Sequence, residues 1–249
     1  MNTLAIRIPH IEHRFVEIDG LRLFYRETGP KDALPLLLLH GFPSASHQYR
    51  RLMDALGTRY HLIAPDYPGF GHSDAPTASR AGGTFRYSFD RLTDFIERFC
   101  EALGLERFAM YVFDFGGPVG LRLATRHPDW IAAIIVQNAN AYVEGLSAAA
   151  REFISLRPEQ DGAEAQILSI MTEAFTREQY VGGTRRPELV APDGWTLDQH
   201  FLDRPGRKAI QVEIAFDYHS NVALYPQWQA YLRKHQPPML IAWGSNDPF

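Results

Sequence analysis

Apolar and polar residues alternate along positions 13–18 and again along 21–26, and the two stretches flank Asp19-Gly20. A period of two marks a half-buried strand, and Asp-Gly supplies the positive backbone angles of a tight hairpin turn. The chain is therefore expected to open as an antiparallel pair. The pattern then changes: residues 34–39, 62–64 and 109–113 are continuously apolar, which fits strands covered on both faces, as in a parallel sheet. Helical patterns over 48–56 and 89–103, and a third from Gly116-Gly117 to His127-Pro128, lie between or after these runs. Strand and helix alternate, so the first part of the chain reads as α/β.

Residues 131–136 form one more apolar run, and beyond them the alternation stops. From 141 to about 235 the chain carries helix-length stretches such as 148–156 and 163–175, separated by Gly182-Gly183, Pro192-Asp193-Gly194 and Pro205-Gly206. Pro237-Pro238 then stops the last helix and 239–243 returns to the composition of a buried strand. The expected organisation is a core over 1–140, an inserted helical cap over 141–236, and a return to the same sheet over 237–249.

Composition narrows the chemistry. A chain of 249 residues, 45% hydrophobic and 22% charged, can bury a core without disulfides or structural metals. Lys+Arg of 25 against Asp+Glu of 29 gives a net charge of −4, which supplies no electrostatic footprint for nucleic acid. The single cysteine, Cys100, lies in a helical pattern and reads as a buried thiol of a reducing compartment. No basic segment followed by an apolar run opens the chain, and no stretch approaches the roughly 18 apolar residues of a membrane span. A soluble, cytoplasmic protein without a membrane partner is expected. His10-Ile11-Glu12-His13 is the closest histidine pair and precedes a strand, with no CxxC elsewhere, so no metal is expected. Gly116-Gly117-Pro118-Val119-Gly120 lacks the dinucleotide spacing, and the glycine-rich loop at 66–74 lacks the Lys-Ser/Thr ending of a phosphate loop. No cofactor is expected.

Three segments carry candidate chemistry. His40-Gly41-Phe42-Pro43 follows the first fully apolar run, and open α/β sheets place ligands at the carboxyl ends of their strands. Phe113-Asp114-Phe115-Gly116-Gly117 runs from strand through a sharp turn into a helix. Asp114 there is either a nucleophile on a strained turn or the N-cap of the helix. Asp247 follows the last apolar run and either orients a histidine or belongs to a turn with Pro248.

In this order, His40-Gly41-Phe42-Pro43, Pro68-Gly69-Phe70-Gly71, the elbow at Asp114 and Asp247 resemble the α/β-hydrolase superfamily, in its epoxide hydrolase and haloalkane dehalogenase branch. The resemblance covers nearly the whole chain. It departs at Val112, where the usual elbow has glycine two residues before the nucleophile. It implies that Asp114 attacks a saturated carbon to form an alkyl-enzyme ester, with the backbone N–H groups of Phe42 and Phe115 as oxyanion hole. His40, Gly41, Gly116 and Gly117 would shape the turns, and Asp247 would be the acid. Tyr218, in Tyr218-His219-Ser220-Asn221, would protonate an epoxide oxygen, with Tyr142 as second candidate and Tyr180 and Tyr225 left open.

Dehalogenases of the branch carry tryptophan where this chain has Phe115, which favours epoxide opening. Trp195 and Trp228, as N–H donors lining the cap pocket, keep halide release as the alternative. The resemblance also implies a catalytic histidine in a loop after one further strand. The chain reaches Phe249 without it, and none of its ten histidines holds the matching position. A truncated chain is therefore expected, with its own turnover open, and a non-catalytic binding protein on the same fold is the competing reading. The expected partners are a small apolar electrophile and water. The sequence carries no signal for oligomeric state.

Overall fold

The computed structural model describes residues 8–247. Pro248, Phe249 and the first seven residues of the chain lie outside the described residues. The hairpin forms as expected: β1 (Glu12–Ile18) pairs antiparallel with β2 (Leu21–Thr28), and Asp19 and Gly20 both take positive φ, 50° and 78°. β3 (Pro35–Leu39), β4 (His61–Pro65), β5 (Phe108–Phe113), β6 (Ile131–Gln137) and β7 (Met239–Ala242) complete a sheet of order β1-β2-β4-β3-β5-β6-β7. From β4 to β7 every neighbouring pair is parallel.

The apolar runs of β3, β4 and β5 have the role their composition suggests, whereas β7, expected as a buried strand, lies at the sheet edge and is exposed along its length, Leu240 and Ile241 at 62% and 65%. Along β3, Leu37 and Leu39 join the large core cluster with α2 (Phe89–Ala102) and α3 (Gly116–Arg126), whereas Leu38 joins a second cluster with Tyr49 and with Met53 of α1 (Arg50–Leu56). Successive side chains leave a strand on opposite faces, so a strand between two helical layers has to be apolar throughout.

Between β6 and β7 the chain builds α4 (Ala148–Ser155), α5 (Ala163–Ser169), α6 (Glu173–Val181), α7 (Asp193–Leu202), α8 (Arg207–Asp217) and α9 (His219–His235). The helical pattern over 163–175 is divided in two. Thr172 interrupts it by accepting the amide of Phe175 at 3.3 Å, an N-cap that starts α6. None of the described helices is long and apolar enough to cross a membrane.

Carboxylates of α8 sew the inserted helices to the core. Glu213, 6% exposed, accepts from Ser79 Oγ at 2.9 Å and from the amides of Arg80 and Tyr87 at 3.0 and 2.7 Å. Asp217 accepts the amide of Phe89, at the start of α2, at 2.8 Å. Arg122 of α3 is buried and donates to Asn221 and Ser220 of α9.

The approach of α3 to β3 depends on Gly116. A Cβ there would lie 2.1 Å from the carbonyl oxygen of Leu39, a backbone atom that cannot swing aside. Gly116→Ala is therefore expected to destabilise the protein by about 3 kcal/mol, at the upper end of overpacking effects, read as a fall of roughly 10 °C in Tm. An unchanged Tm would show that α3 can retreat without loss.

Candidate active site

Strand register assembles the site. Leu39 lies opposite Val112, Phe113 opposite Gln137, and Gln137 opposite Ala242. The residues that leave the carboxyl ends of β3, β5, β6 and β7 therefore meet in one place: Gly41 and Phe42, Asp114, Asn138, and Asp247.

Asp114 has φ of +49°, a left-handed conformation that aspartate tolerates better than most residues. Its carbonyl accepts the amide of Gly117 at 2.8 Å and so begins α3. Its side chain does not cap that helix; Phe115 occupies the cap position, with no side-chain cap bond. Instead Oδ1 accepts the amide of Phe42 at 2.7 Å, and the amide of Phe115 also donates to the carboxylate. Gly41 permits this contact, since a Cβ at that position would lie 2.4 Å from Cβ and 2.6 Å from Oδ1 of Asp114. Burial pushes the carboxyl up to about 6, against the two amide hydrogen bonds, and the charge of Asp247 adds to the rise.

Val112 is accommodated from the opposite side. A Cβ at Gly120 would lie 2.6 Å from Val112 Cγ1, so the glycine that admits close packing is on the helix and the strand keeps valine. Gly117 clears Ala139 in the same way, with a virtual Cβ at 2.7 Å.

Asp114, Phe42, Phe115 and Asp247 line a cavity of about 420 Å³ together with Tyr218, at the carboxyl end of α8. The ring of Tyr218 packs edge-on against Phe89 at 5.4 Å and lies 6.0 Å from that of Phe115. Burial holds its phenol well above the usual range, with Tyr225 and the charge of Asp114 adding to the effect. It therefore stays protonated beside the carboxylate. The far wall is apolar, with Phe153 of α4 and Ile170 and Met171 between α5 and α6.

His40 is fully buried and sits under the turn. Its Nε2 accepts the amide of Tyr67 at 3.4 Å, which leaves Nδ1 to donate to the carbonyl of Gly41 at 3.1 Å. Burial lowers its pKa to about 4, so the imidazole is neutral and shapes the Gly41 turn.

A family model described as alpha/beta hydrolase fold matches residues 35–249. The chain belongs to the α/β-hydrolase fold family. An uncharacterized hydrolase of Saccharomyces cerevisiae is 39% identical over 94% of this chain and 81% of its own length. Epoxide hydrolase 2 of Caenorhabditis elegans is 28% identical over 95% of this chain and 67% of its own. Among solved structures, the haloalkane dehalogenase DbeA from Bradyrhizobium elkani superposes with a TM-score of 0.72 at 23% identity, over 95% of this chain and 81% of that one. This α/β hydrolase is similar to proteins named epoxide hydrolase and haloalkane dehalogenase.

Five aromatic candidates of this hydrolase fall outside the cavity, among them Tyr225, which is buried against Trp228. Trp228 does not line the pocket: it is fully buried, packs with Tyr225 and Leu121, and its Nε1 finds no hydrogen-bond partner. Trp195 is likewise away from it, its ring 6.0 Å from that of Tyr180 and under the guanidinium of Arg177. Both face helix–helix contacts because their helices pack on neighbours there. Tyr142 is 46% exposed and does not reach the cavity. The hydroxyl of Tyr180 is occupied by Asp198 at 2.6 Å.

Asn138 and Gln211 line the cavity and carry no sequence motif. Asn138 has φ of +46° and donates its side-chain amide to Asp247 Oδ2. An apolar strand followed by Asn is its only signal, and that pattern is common in turns.

Proposed function

We propose that this α/β-fold hydrolase opens epoxides through covalent attack by Asp114. The observation that carries the reading is the carboxylate itself, held by the amide of Phe42 at the floor of a largely apolar cavity and facing a neutral phenol. The free carboxylate oxygen attacks a ring carbon, the C–O bond of the epoxide breaks, and the Tyr218 hydroxyl delivers its proton to the departing oxygen. The product is a hydroxyalkyl ester of Asp114, and the phenolate regains a proton from water. Oδ1 becomes the ester carbonyl oxygen, already hydrogen-bonded where charge develops when water attacks. Neither Trp195 nor Trp228, the expected halide donors, lines the cavity; Trp243 does, and it keeps halide release as the alternative reading.

Ester hydrolysis needs a base to activate water, and no histidine is among the described residues lining the cavity. With this 249-residue chain the ester is therefore expected to accumulate. Incubation with a terminal alkyl epoxide should add the mass of one intact epoxide, mapped by peptide sequencing to Asp114. Absence of an adduct, or one carried elsewhere, would end the proposal.

Only the ionised carboxyl attacks, so labelling should rise with pH through about 6 and level off above neutrality. At pH 5 the rate should be about a tenth of the plateau, given a carboxyl that titrates at about 6. A rate independent of pH between 5 and 8 would place the titration elsewhere.

A further inference from the structure

Gln211 is 3% exposed and lines the same cavity as Asp114 and Tyr218. Its side-chain Oε1 is buried without a hydrogen-bond partner. Buried polar groups are almost always paired, and an unpaired amide costs more than its hydrogen bond is worth. Gln211, Ala215 and Tyr218 all line the cavity, at the spacing of one helix face. Seven residues at the rise of an α-helix separate Gln211 from Tyr218 by about 10 Å along the axis. Gln211 is one of several polar side chains in the lining, with Asn140, Gln166, Ser169 and Gln179, and its Oε1 is the one acceptor among them that is buried without a partner.

The charge of the lining restricts the ligand further. Asp114, Asp247 and Glu152 contribute carboxylates, and no lysine, arginine or histidine is among the described lining residues. A carboxylate on the substrate would meet like charge and no cation.

The geometry points to a neutral, elongated substrate, an epoxide bearing a hydroxyl or amide about 10 Å from the ring that hydrogen-bonds to Gln211 while Asp114 attacks. This assignment of substrate class rests on the reading of Asp114 as nucleophile. Gln211 is a specificity-determining residue in it, and the cavity selects against epoxides that end in a carboxylate.

The test uses the full chain and terminal epoxides of equal length, long enough to span the cavity, that end in methyl, hydroxyl or carboxylate. Adduct formation is followed by intact mass, and reversible binding of the three corresponding diols by calorimetry. The hydroxyl epoxide is expected to label about tenfold faster than the methyl one, the scale of one hydrogen bond, and the carboxylate slowest. In Gln211→Met, which keeps the length and removes the hydrogen bond, the hydroxyl-to-methyl ratio should fall to about one. A ratio that persists in Gln211→Met, equal rates in the parent chain, or fastest labelling by the carboxylate would overturn the inference.

The parent chain's own ranking decides the matter should Gln211→Met not fold. If no epoxide labels at all, the nucleophile reading fails by itself and the diols still judge Gln211. Tighter binding of the hydroxyl diol, lost in Gln211→Met, supports its role, and equal binding of hydroxyl and methyl diols removes it.

Discussion

Asp114→Asn is expected to abolish covalent capture of epoxides and at the same time to make the protein more stable above pH 7. The amide is no nucleophile, so labelling should fall by roughly three orders of magnitude or more. The fold should survive, because an asparagine carbonyl can still accept the amide of Phe42 that now reaches Oδ1 at 2.7 Å. The gain in stability follows from proton linkage. Burial raises the folded-state pKa of Asp114 from 3.8 to about 6. Above about pH 6 the folded protein therefore holds a charge that the unfolded chain carries more easily. As the pH falls from 6 towards 4 the folded state takes up a proton first and that penalty disappears. Removing the charge should stabilise by about 3 kcal/mol at pH 8, roughly 9 °C in Tm, with no advantage left near pH 4. Thermal melts of both proteins across pH would check it. A variant less stable than its parent at pH 8 would mean that the carboxylate is favoured by its surroundings, and labelling that survived would assign the attack to another residue.

Gly41→Ala should disable the same chemistry while leaving the fold standing. The three atoms nearest a Cβ at position 41 all belong to the Asp114 side chain, at 2.4 to 2.9 Å. The strain therefore falls on the carboxylate, which has to rotate away from the amide of Phe42. Such a rotation misplaces the attacking oxygen, and a displacement on the order of 1 Å costs about 10²-fold in rate. The epoxide-labelling rate is expected to drop by that factor with Tm changed by only a few degrees. Labelling at the parental rate would show that Asp114 has room the geometry does not reveal, and a collapse in Tm would make Gly41 a residue of the fold alone.

Much of this could be read from the sequence. The hairpin at Asp19-Gly20, the parallel runs and the turn at Asp114 each have a local signature, because period, glycine placement and positive φ are properties of a few adjacent residues. The family resemblance reached Phe42, Phe115, Asp247 and Tyr218 through motifs whose spacing survives in the chain. What escaped depends on contacts between distant segments. Whether Trp228 or Gln211 faces the cavity is set by the rotation of α9 and α8. That rotation is fixed on α8 by Glu213 and Asp217 binding core amides more than 120 residues away in sequence, and on α9 by Arg122 donating to Ser220 and Asn221. Asn138 meets Asp247 only because β6 and β7 are neighbours, a pairing across 109 positions. The division at Thr172 was a local signal outweighed by the apolar periodicity around it.

The exchange that leaves valine on the strand and glycine on the helix has a bearing on how the protein acquires its shape. α3 carries Gly116, Gly117, Pro118 and Gly120 in its first turns, with neither a side-chain cap nor an acidic residue in its first turn. Each helical glycine disfavours the helix by about 1 kcal/mol relative to alanine, and a helix of eleven residues is marginal even with favourable composition. Such a segment has almost no propensity to coil by itself and is ordered only by being pressed against β3 and β5. The turn that carries Asp114 thus takes its shape from the sheet it packs on rather than from the peptide that contains it.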